Sequence, residues 1–228
     1  MAVDEAIEAL RSGRPVLIYD SASRESEVDL VYHASAVGPD AIYTLRTKAG
    51  GLICFATRWS IARALGLVWG DELIASVPQL RPLAMRRLGY GDRPAFTIWV
   101  NHVSVRTGIS DEDRSKTVKE LYGVVHMYVR GDVEGARRKF ADEFQAPGHV
   151  PVLASRGLGQ RRGHTELSIA LTSLAGLEPA VVFAEMLDYG TSLSLDKAVE
   201  LSRAWGVTLV SGDEIVEACR GHEVCWSD

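Results

Sequence analysis

The chain has 228 residues, 46% hydrophobic and 24% charged, with a formal net charge of −5. That length fits one domain, at most two, with a substantial core. The acidic balance excludes an overall basic field for nucleic acid or anionic lipid, so any bound anion needs local arginines. Three cysteines, Cys54, Cys219 and Cys225, form neither a disulfide framework nor a C-x-x-C metal site and point to a reducing compartment. The opening MAVDEAIEALRSG carries Asp4, Glu5 and Glu8 without a long apolar run, so it does not read as a signal peptide. No apolar stretch approaches membrane-spanning length. The expectation is a soluble cytoplasmic protein with no nucleic-acid or membrane partner.

Helices and strands are expected to alternate. A first helix is capped by Asp4, with Ala6, Ile7, Ala9 and Leu10 on its apolar face and Gly13 stopping it. Strands follow over Pro15 to Tyr19 and Asp29 to Val37, separated by the charged stretch DSASRESEVD, residues 20–29. Gly38-Pro39-Asp40 opens a helix to about Lys48, GLICFAT (51–57) is a buried strand, and Ser60 to Leu65 a short helix. Residues 66–94 read as an irregular insertion, and AFTIWVNHVSV (95–105) as a strand. Ser110 with Asp113 three residues on is a capping-box pattern that begins a helix to about Val129. A second helix, Val133 to Phe144, precedes a turn at QAPGHV and a strand, Val150 to Ala154. Beyond the loop GLGQRRG (157–163) comes a helix with Leu167, Leu171 and Leu174 on one face, then the strand AVVFAEM (180–186). A helix over Leu195 to Trp205, a strand over Val207 to Val210 and a helix from about Asp213 complete the pattern, with residues 221–228 read as a tail. The expected architecture is one mixed α/β domain over residues 1–228.

Three loops could carry chemistry, because each leaves a strand or enters a helix. In the first, four carboxylates and Arg24 crowd into ten residues. Glu25, Glu27 and Asp29 alternate and can converge, which suits a hard divalent cation that takes one or two carboxylates; a solvated loop is the other reading. In the second, PGHV, His149 stands before an apolar strand as a candidate acid or base, or as a surface histidine. In the third, RRGHTE, Arg161 and Arg162 precede a helix start at about His164, where free N–H groups and a guanidinium can cradle a phosphate. His164 there could ligate a metal. Glu185 closes an apolar strand, where a general base with a raised pKa could sit. Thr107 in TGIS could touch a ligand or simply belong to the helix cap, and Cys54 reads as a small core residue.

Taken in order, these motifs resemble the 3,4-dihydroxy-2-butanone 4-phosphate synthase family of the riboflavin pathway. The resemblance rests on Arg24-Glu25-x-Glu27-x-Asp29, GGLIC (50–54), TGIS with Asp113-Arg114 and Thr117, PGHV (147–150), RRGHTE (161–166), LAGLEPA (174–180), Glu185, and Asp188 with Gly190. It implies a mixed sheet flanked by helices, and a lyase that turns ribulose 5-phosphate into 3,4-dihydroxy-2-butanone 4-phosphate and formate. It further implies Mg²⁺ or Mn²⁺, two ions per site, and a homodimer with active sites at the subunit boundary, without a fused GTP cyclohydrolase. Carried over, Glu25 and His164 are metal ligands, and His149 and Glu185 catalytic, with Asp20 and Glu27 beside them. Arg24, Glu25, Asp29, Thr107, Arg161, Arg162, Gly163, His164, Thr165 and Glu185 would contact substrate.

Four features depart from the family's usual pattern: Ser21-Ala22-Ser23 carries no acid, Ser26 follows the Arg-Glu pair, Tyr189 stands in the D-x-G loop, and Ala184 precedes Glu185. Two other readings use the same residues. One is a non-catalytic or weakly active sugar-phosphate binder; the other is a metal-dependent sugar-phosphate isomerase sharing the enediolate step.

Overall fold

The computed structural model describes residues 2–86 and 89–228. α1 (Ala2–Arg11) leads into β1 (Val16–Tyr19), and β2 (Val28–His33) returns antiparallel to it, with Tyr19 opposite Val28. A 3-10 turn over Ala34–Ala36 ends β2 short of the expected Val37. α2 (Pro39–Thr44) starts behind Gly38, then widens into a π-helix, Leu45–Ala49, closed by Gly50 at φ 93°. Next come β3 (Cys54–Arg58), α3 (Trp59–Ala64), α4 (Gly70–Ala75), α5 (Arg81–Ala84) and β4 (Phe96–His102). α6 (Asp111–Val129), α7 (Val133–Glu143) and β5 (Phe144–Ser155) lead to α8 (His164–Leu174) and β6 (Ala180–Glu185). A small hairpin, β7 (Leu187–Asp188) with β8 (Thr191–Ser192), precedes α9 (Leu195–Trp205), β9 (Leu209–Ser211), α10 (Gly212–Ala218) and α11 (Glu223–Trp226).

The strong helix signals act as expected. Ser110 accepts from Asp113 N at 3.1 Å and heads α6, whose first turn holds three acids against the helix dipole. Ser194 caps α9 in the same way, and Gly206 ends it at φ 64°, a left-handed position that glycine takes without steric cost.

Three stretches differ from the sequence expectation. Residues 66–94 contain α4 and α5, because Pro82 sits in the first turn of α5, where proline needs no N–H donor; Arg87 and Leu88 of that stretch lie outside the described residues. QAPGHV is not a free turn. β5 already pairs with β4 at Phe144 and Gln145, and the register breaks between Val100 and Asn101, so residues 146–149 loop out of a continuing ladder. Residues 223–226 form α11 where a tail was expected.

The main sheet has seven strands in the order β4-β5-β3-β6-β2-β1-β9, parallel at β3/β5 and β1/β9 and antiparallel elsewhere. Side chains alternate across it. Leu17, Leu30, Phe55, Val152 and Val182 face a core built with α2, α6, α7 and α9. Val16, Ile18, Val31, Cys54 and Phe183 face a second core with α1, α8, α10 and α11. This is the expected mixed sheet flanked by helices. Asp29 pairs with Glu185 and shares its parity with Val31 and Phe183, so both carboxylates stand on the α8 side.

Candidate active site

The charged loop begins where β1 stops. The buried Asp20 carboxylate accepts from Glu25 N at 3.0 Å, Glu27 N at 3.1 Å and Arg24 Nη1 at 3.2 Å. Ser21 O accepts from Arg24 N and Ser26 N, at 3.2 and 3.1 Å, and Ser26 takes the left-handed region at φ 56°. Asp20 therefore folds the loop with three accepted hydrogen bonds, while Glu25, Glu27 and Asp29 line the adjoining cavity.

They face His164, the first residue of α8. Its Nδ1 lies 3.4 Å from Glu25 and 3.6 Å from Asp29, while Nε2 is 3.2 Å from the carbonyl oxygen of Glu27. A carbonyl only accepts, so Nε2 carries the hydrogen, and Nδ1 presents either a proton or a lone pair to two carboxylates. Burial alone would lower the His164 pKa, but Asp29, Glu25 and Asp20 raise it to about 9. Burial would raise that of Glu25; bonds from His164 and Tyr90 and the Arg24 charge bring it down to about 2. Asp29 is pushed up to about 8, by burial first and against the pull of His164, with Glu185, Glu25 and Glu27 adding to the rise.

The donor set fits a divalent cation. Ligand atoms of Asp20, Glu25 and His164 lie within 4.8 Å of one another, and the buried Asp29 Oδ1 has no hydrogen-bond partner. The imidazole is oriented through its other nitrogen, as metal-binding histidines are.

An anion-binding side adjoins it. Arg161 Nη1 donates to Glu166 at 2.5 Å, and Glu166 also accepts from Arg156 N at 3.0 Å and Gly163 N at 3.2 Å. Arg161 Nε and Arg24 Nη2 are buried without a hydrogen-bond partner. A Cβ on Gly163 would lie 2.4 Å from Arg161 Nη1 and 2.7 Å from Arg24 Nη2, so glycine here lets two guanidiniums converge at a helix N-terminus. Both arginines reach Asp92, at 2.9 Å from Arg24 and 3.8 Å from Arg161, and Arg24 lies 4.6 Å over the Tyr90 ring. Sequence reasoning missed Tyr90, Asp92 and Glu166. Glu166 alone left a signal, the N3 acid of a helix start.

A cavity of about 280 Å³ joins the two sides, lined among others by Glu25, Glu27, Asp29, Arg161, Thr165 and Glu185. Glu185 is held at its edge: Leu52 N donates to its Oε2 at 2.8 Å and Gly51 N to its carbonyl at 3.0 Å. The Ser192 hydroxyl of β8 donates to Glu27.

His149 and Thr107 stand elsewhere. His149 is exposed, its N–H donates to Asn101 Oδ1 at 2.8 Å, and Asn101 Nδ2 donates to Thr107 O at 3.4 Å. Neither residue lines the cavity. Extending the β6/β3 and β3/β5 registers puts His149 two strands from Glu185, about 10 Å of backbone spacing. Arg162 is exposed and lies 5.8 Å over Trp226, beside a neighbouring cavity of about 580 Å³ that Ser21, Ala22 and Ser23 also line.

Comparisons with known proteins identify the family. A family model described as 3,4-dihydroxy-2-butanone 4-phosphate synthase matches residues 4–218. The 3,4-dihydroxy-2-butanone 4-phosphate synthase of Archaeoglobus fulgidus is 39% identical over 226 residues, covering 95% of this chain and 93% of the relative. That of Methanothermobacter thermautotrophicus is 36% identical over 224 residues, covering 95% of each. A crystal structure of a 3,4-dihydroxy-2-butanone 4-phosphate synthase in complex with two magnesium ions is similar with a TM-score of 0.76 at 26% identity, covering 99% of both chains.

Proposed function

We infer the activity of this chain from one premise: it belongs to the 3,4-dihydroxy-2-butanone 4-phosphate synthase family. It is a lyase of riboflavin biosynthesis that converts ribulose 5-phosphate into 3,4-dihydroxy-2-butanone 4-phosphate and formate. One observation carries the reading to the residues. Around one cavity, a carboxylate–imidazole cluster suited to a cation faces the Arg161 guanidinium, and Arg24, on the adjoining cavity that Arg161 also lines, adds a second nitrogen without a hydrogen-bond partner, which suits a phosphate. Product analysis by carbon NMR tests it, because this lyase excises one carbon as formate and an isomerase does not. Purified wild-type protein with Mg²⁺ that binds ribulose 5-phosphate without forming formate would favour the non-catalytic reading.

The roles follow from position. Glu25 and His164 hold the metal, Mg²⁺ or Mn²⁺, at two ions per site; bound there, divalent cations stabilise negative charge on substrate oxygens as Lewis acids. Arg24, Arg161 and the N–H groups of His164 and Thr165 hold the phosphate, which takes no part in the bond changes and so supplies orientation. Glu185 moves protons at the cavity edge. Asp29, with its pKa near 8, can carry a proton around neutral pH and release it during the reaction. Glu27 lines the cavity as a further proton acceptor, and Asp20 acts through the loop it folds.

Two predictions arise here. The first concerns pH. The His164 proton, held to about pH 9, must leave before Nδ1 ligates a metal. Mg²⁺ affinity should therefore rise about tenfold per pH unit between pH 7 and 9, with about one proton released per site. Calorimetry in buffers of different ionisation enthalpy measures both; affinity flat across that range would exclude His164 as the ligand. The second concerns Gly51, where a Cβ would lie 2.2 Å from Glu185 Oε2. Gly51→Ala should cut kcat about 100-fold by displacing Glu185, with KM and Mg²⁺ affinity nearly unchanged. An undiminished kcat would remove Glu185 from the chemistry.

The assembly we propose is a homodimer with His149 and Thr107 reaching the partner's cavity, supported by their exposure and separation from their own. The cytoplasm is the proposed compartment. All three cysteines are unpaired thiols, and no helix among the described residues is long and apolar enough to cross a membrane.

A further inference from the structure

The family match ends at residue 218, yet the next ten residues bear directly on the arginine loop. Leu158 N donates to Cys225 O and Gly159 N to Trp226 O, both at 3.2 Å. A Cβ on Gly157 or Gly159 would lie 2.7 or 2.9 Å from that same Trp226 oxygen, so the two glycines admit the close approach. Arg162 stacks over the Trp226 ring at 5.8 Å. The segment is anchored in turn. Trp226 Nε1 donates to Cys219 O at 2.9 Å, Arg58 Nη2 donates to Val224 O at 3.1 Å, and Cys219, Cys225 and Leu158 are buried in one apolar cluster. Arg161, two residues beyond Gly159, turns back onto the loop through its N–H to Gly157 O at 3.1 Å.

We propose that residues 223–228 brace the 157–162 loop, with Trp226 a positioning residue that sets Arg161 for the phosphate end of the substrate. The carbonyls of Cys225 and Trp226 satisfy two loop N–H groups that otherwise need water, and the indole holds one arginine. The brace fixes the loop before substrate arrives, so binding does not pay its ordering entropy. The inference rests on the reading that Arg161 holds a phosphate.

The test pairs three variants with two readouts. Trp226→Ala removes the stacking surface, Trp226→Phe keeps it, and Gly159→Ala pushes the loop off the Trp226 carbonyl without touching the apolar cluster. Limited trypsin cleavage after Arg161 and Arg162 reads the loop directly, and steady-state kinetics with inorganic phosphate as competitor reads the site. Expected for Trp226→Ala and Gly159→Ala are cleavage at least about fivefold faster, and KM and the phosphate Ki each raised about tenfold, with kcat within about twofold and Mg²⁺ affinity unchanged. Trp226→Phe should recover most of both. Unchanged cleavage in the folded variants overturns the brace. Faster cleavage with unchanged KM and Ki overturns the coupling to substrate, as does a fall in kcat at constant KM. If the wild type forms no formate, the lyase reading fails separately, and calorimetric phosphate binding replaces KM. A wild type that binds no phosphate sinks the positioning role as well.

Discussion

Glu25→Gln is expected to reduce Mg²⁺-dependent formate release by about 1000-fold or more, while the protein remains folded. The amide matches the carboxylate in shape but offers neither its charge nor a ligand oxygen of the same strength. The loop does not depend on it. Asp20 still receives the N–H groups of residues 25 and 27, and Arg24 keeps Asp20 and Asp92. His164 loses one of the carboxylates that raise its pKa to about 9, so in the variant that value should fall toward the ordinary 6.5, which proton NMR reads. The stability difference has a defined sign. Glu25 is depressed from 4.5 to about 2, so its contribution is present above about pH 4.5 and lost as pH falls toward 2. Wild type and variant should therefore differ in urea stability at pH 7 and converge near pH 2. Undiminished formate release by folded Glu25→Gln protein would end the assignment of Glu25 to the metal.

Much of this was legible because the relevant signals are local. Ser110 and Asp113 announced α6, and apolar stretches such as GLICFAT and AVVFAEM gave strands of the sheet. The loops RESEVD and RRGHTE were readable as polar sites at strand and helix ends, and tertiary structure brings them together at His164. What the sequence concealed depends on contacts between distant segments. Asp29 faces Glu185 only through the β2/β6 register. Tyr90 and Asp92 come from a stretch of glycine, arginine and proline without periodicity, and only its packing puts them against Arg24.

The acid-free triplet reads differently once placed. Ser21, Ala22 and Ser23 line the larger neighbouring cavity beside Arg162, whereas Glu25 and Asp29 stand around His164. Its missing charge thus concerns the arginine-lined side of the site more than the metal cluster. Closeness in sequence also misled in one respect. PGHV and RRGHTE are separated by few residues, but half of them are β5, which spends about 20 Å between His149 and Ser155 at 3.3 Å per residue. The two histidines consequently belong to different places on one subunit.

Co-expressing Glu25→Gln and His149→Ala subunits, each inactive alone, is expected to restore about a quarter of wild-type activity. Random pairing makes about half of the dimers mixed. In a mixed dimer both lesions fall in one composite site, and the other site receives an intact Glu25 from one subunit and an intact His149 from the other. If His149 served the cavity of its own subunit, every site would carry one lesion and nothing would be recovered. The structure makes this contrast large. His149 is exposed on a looped segment held by Asn101, its carrier glycine Gly148 is pressed so close to the Val100–Asn101 backbone that a Cβ would lie 1.9 Å from Val100 C, and it lines no part of the cavity around His164. A loop so tightly fixed to β4 does not swing two strand spacings to reach Glu185 within its own chain. Purifying the mixed dimer through two different affinity tags and measuring its formate release per site would give about half the wild-type value for a composite site and only background for a self-contained one.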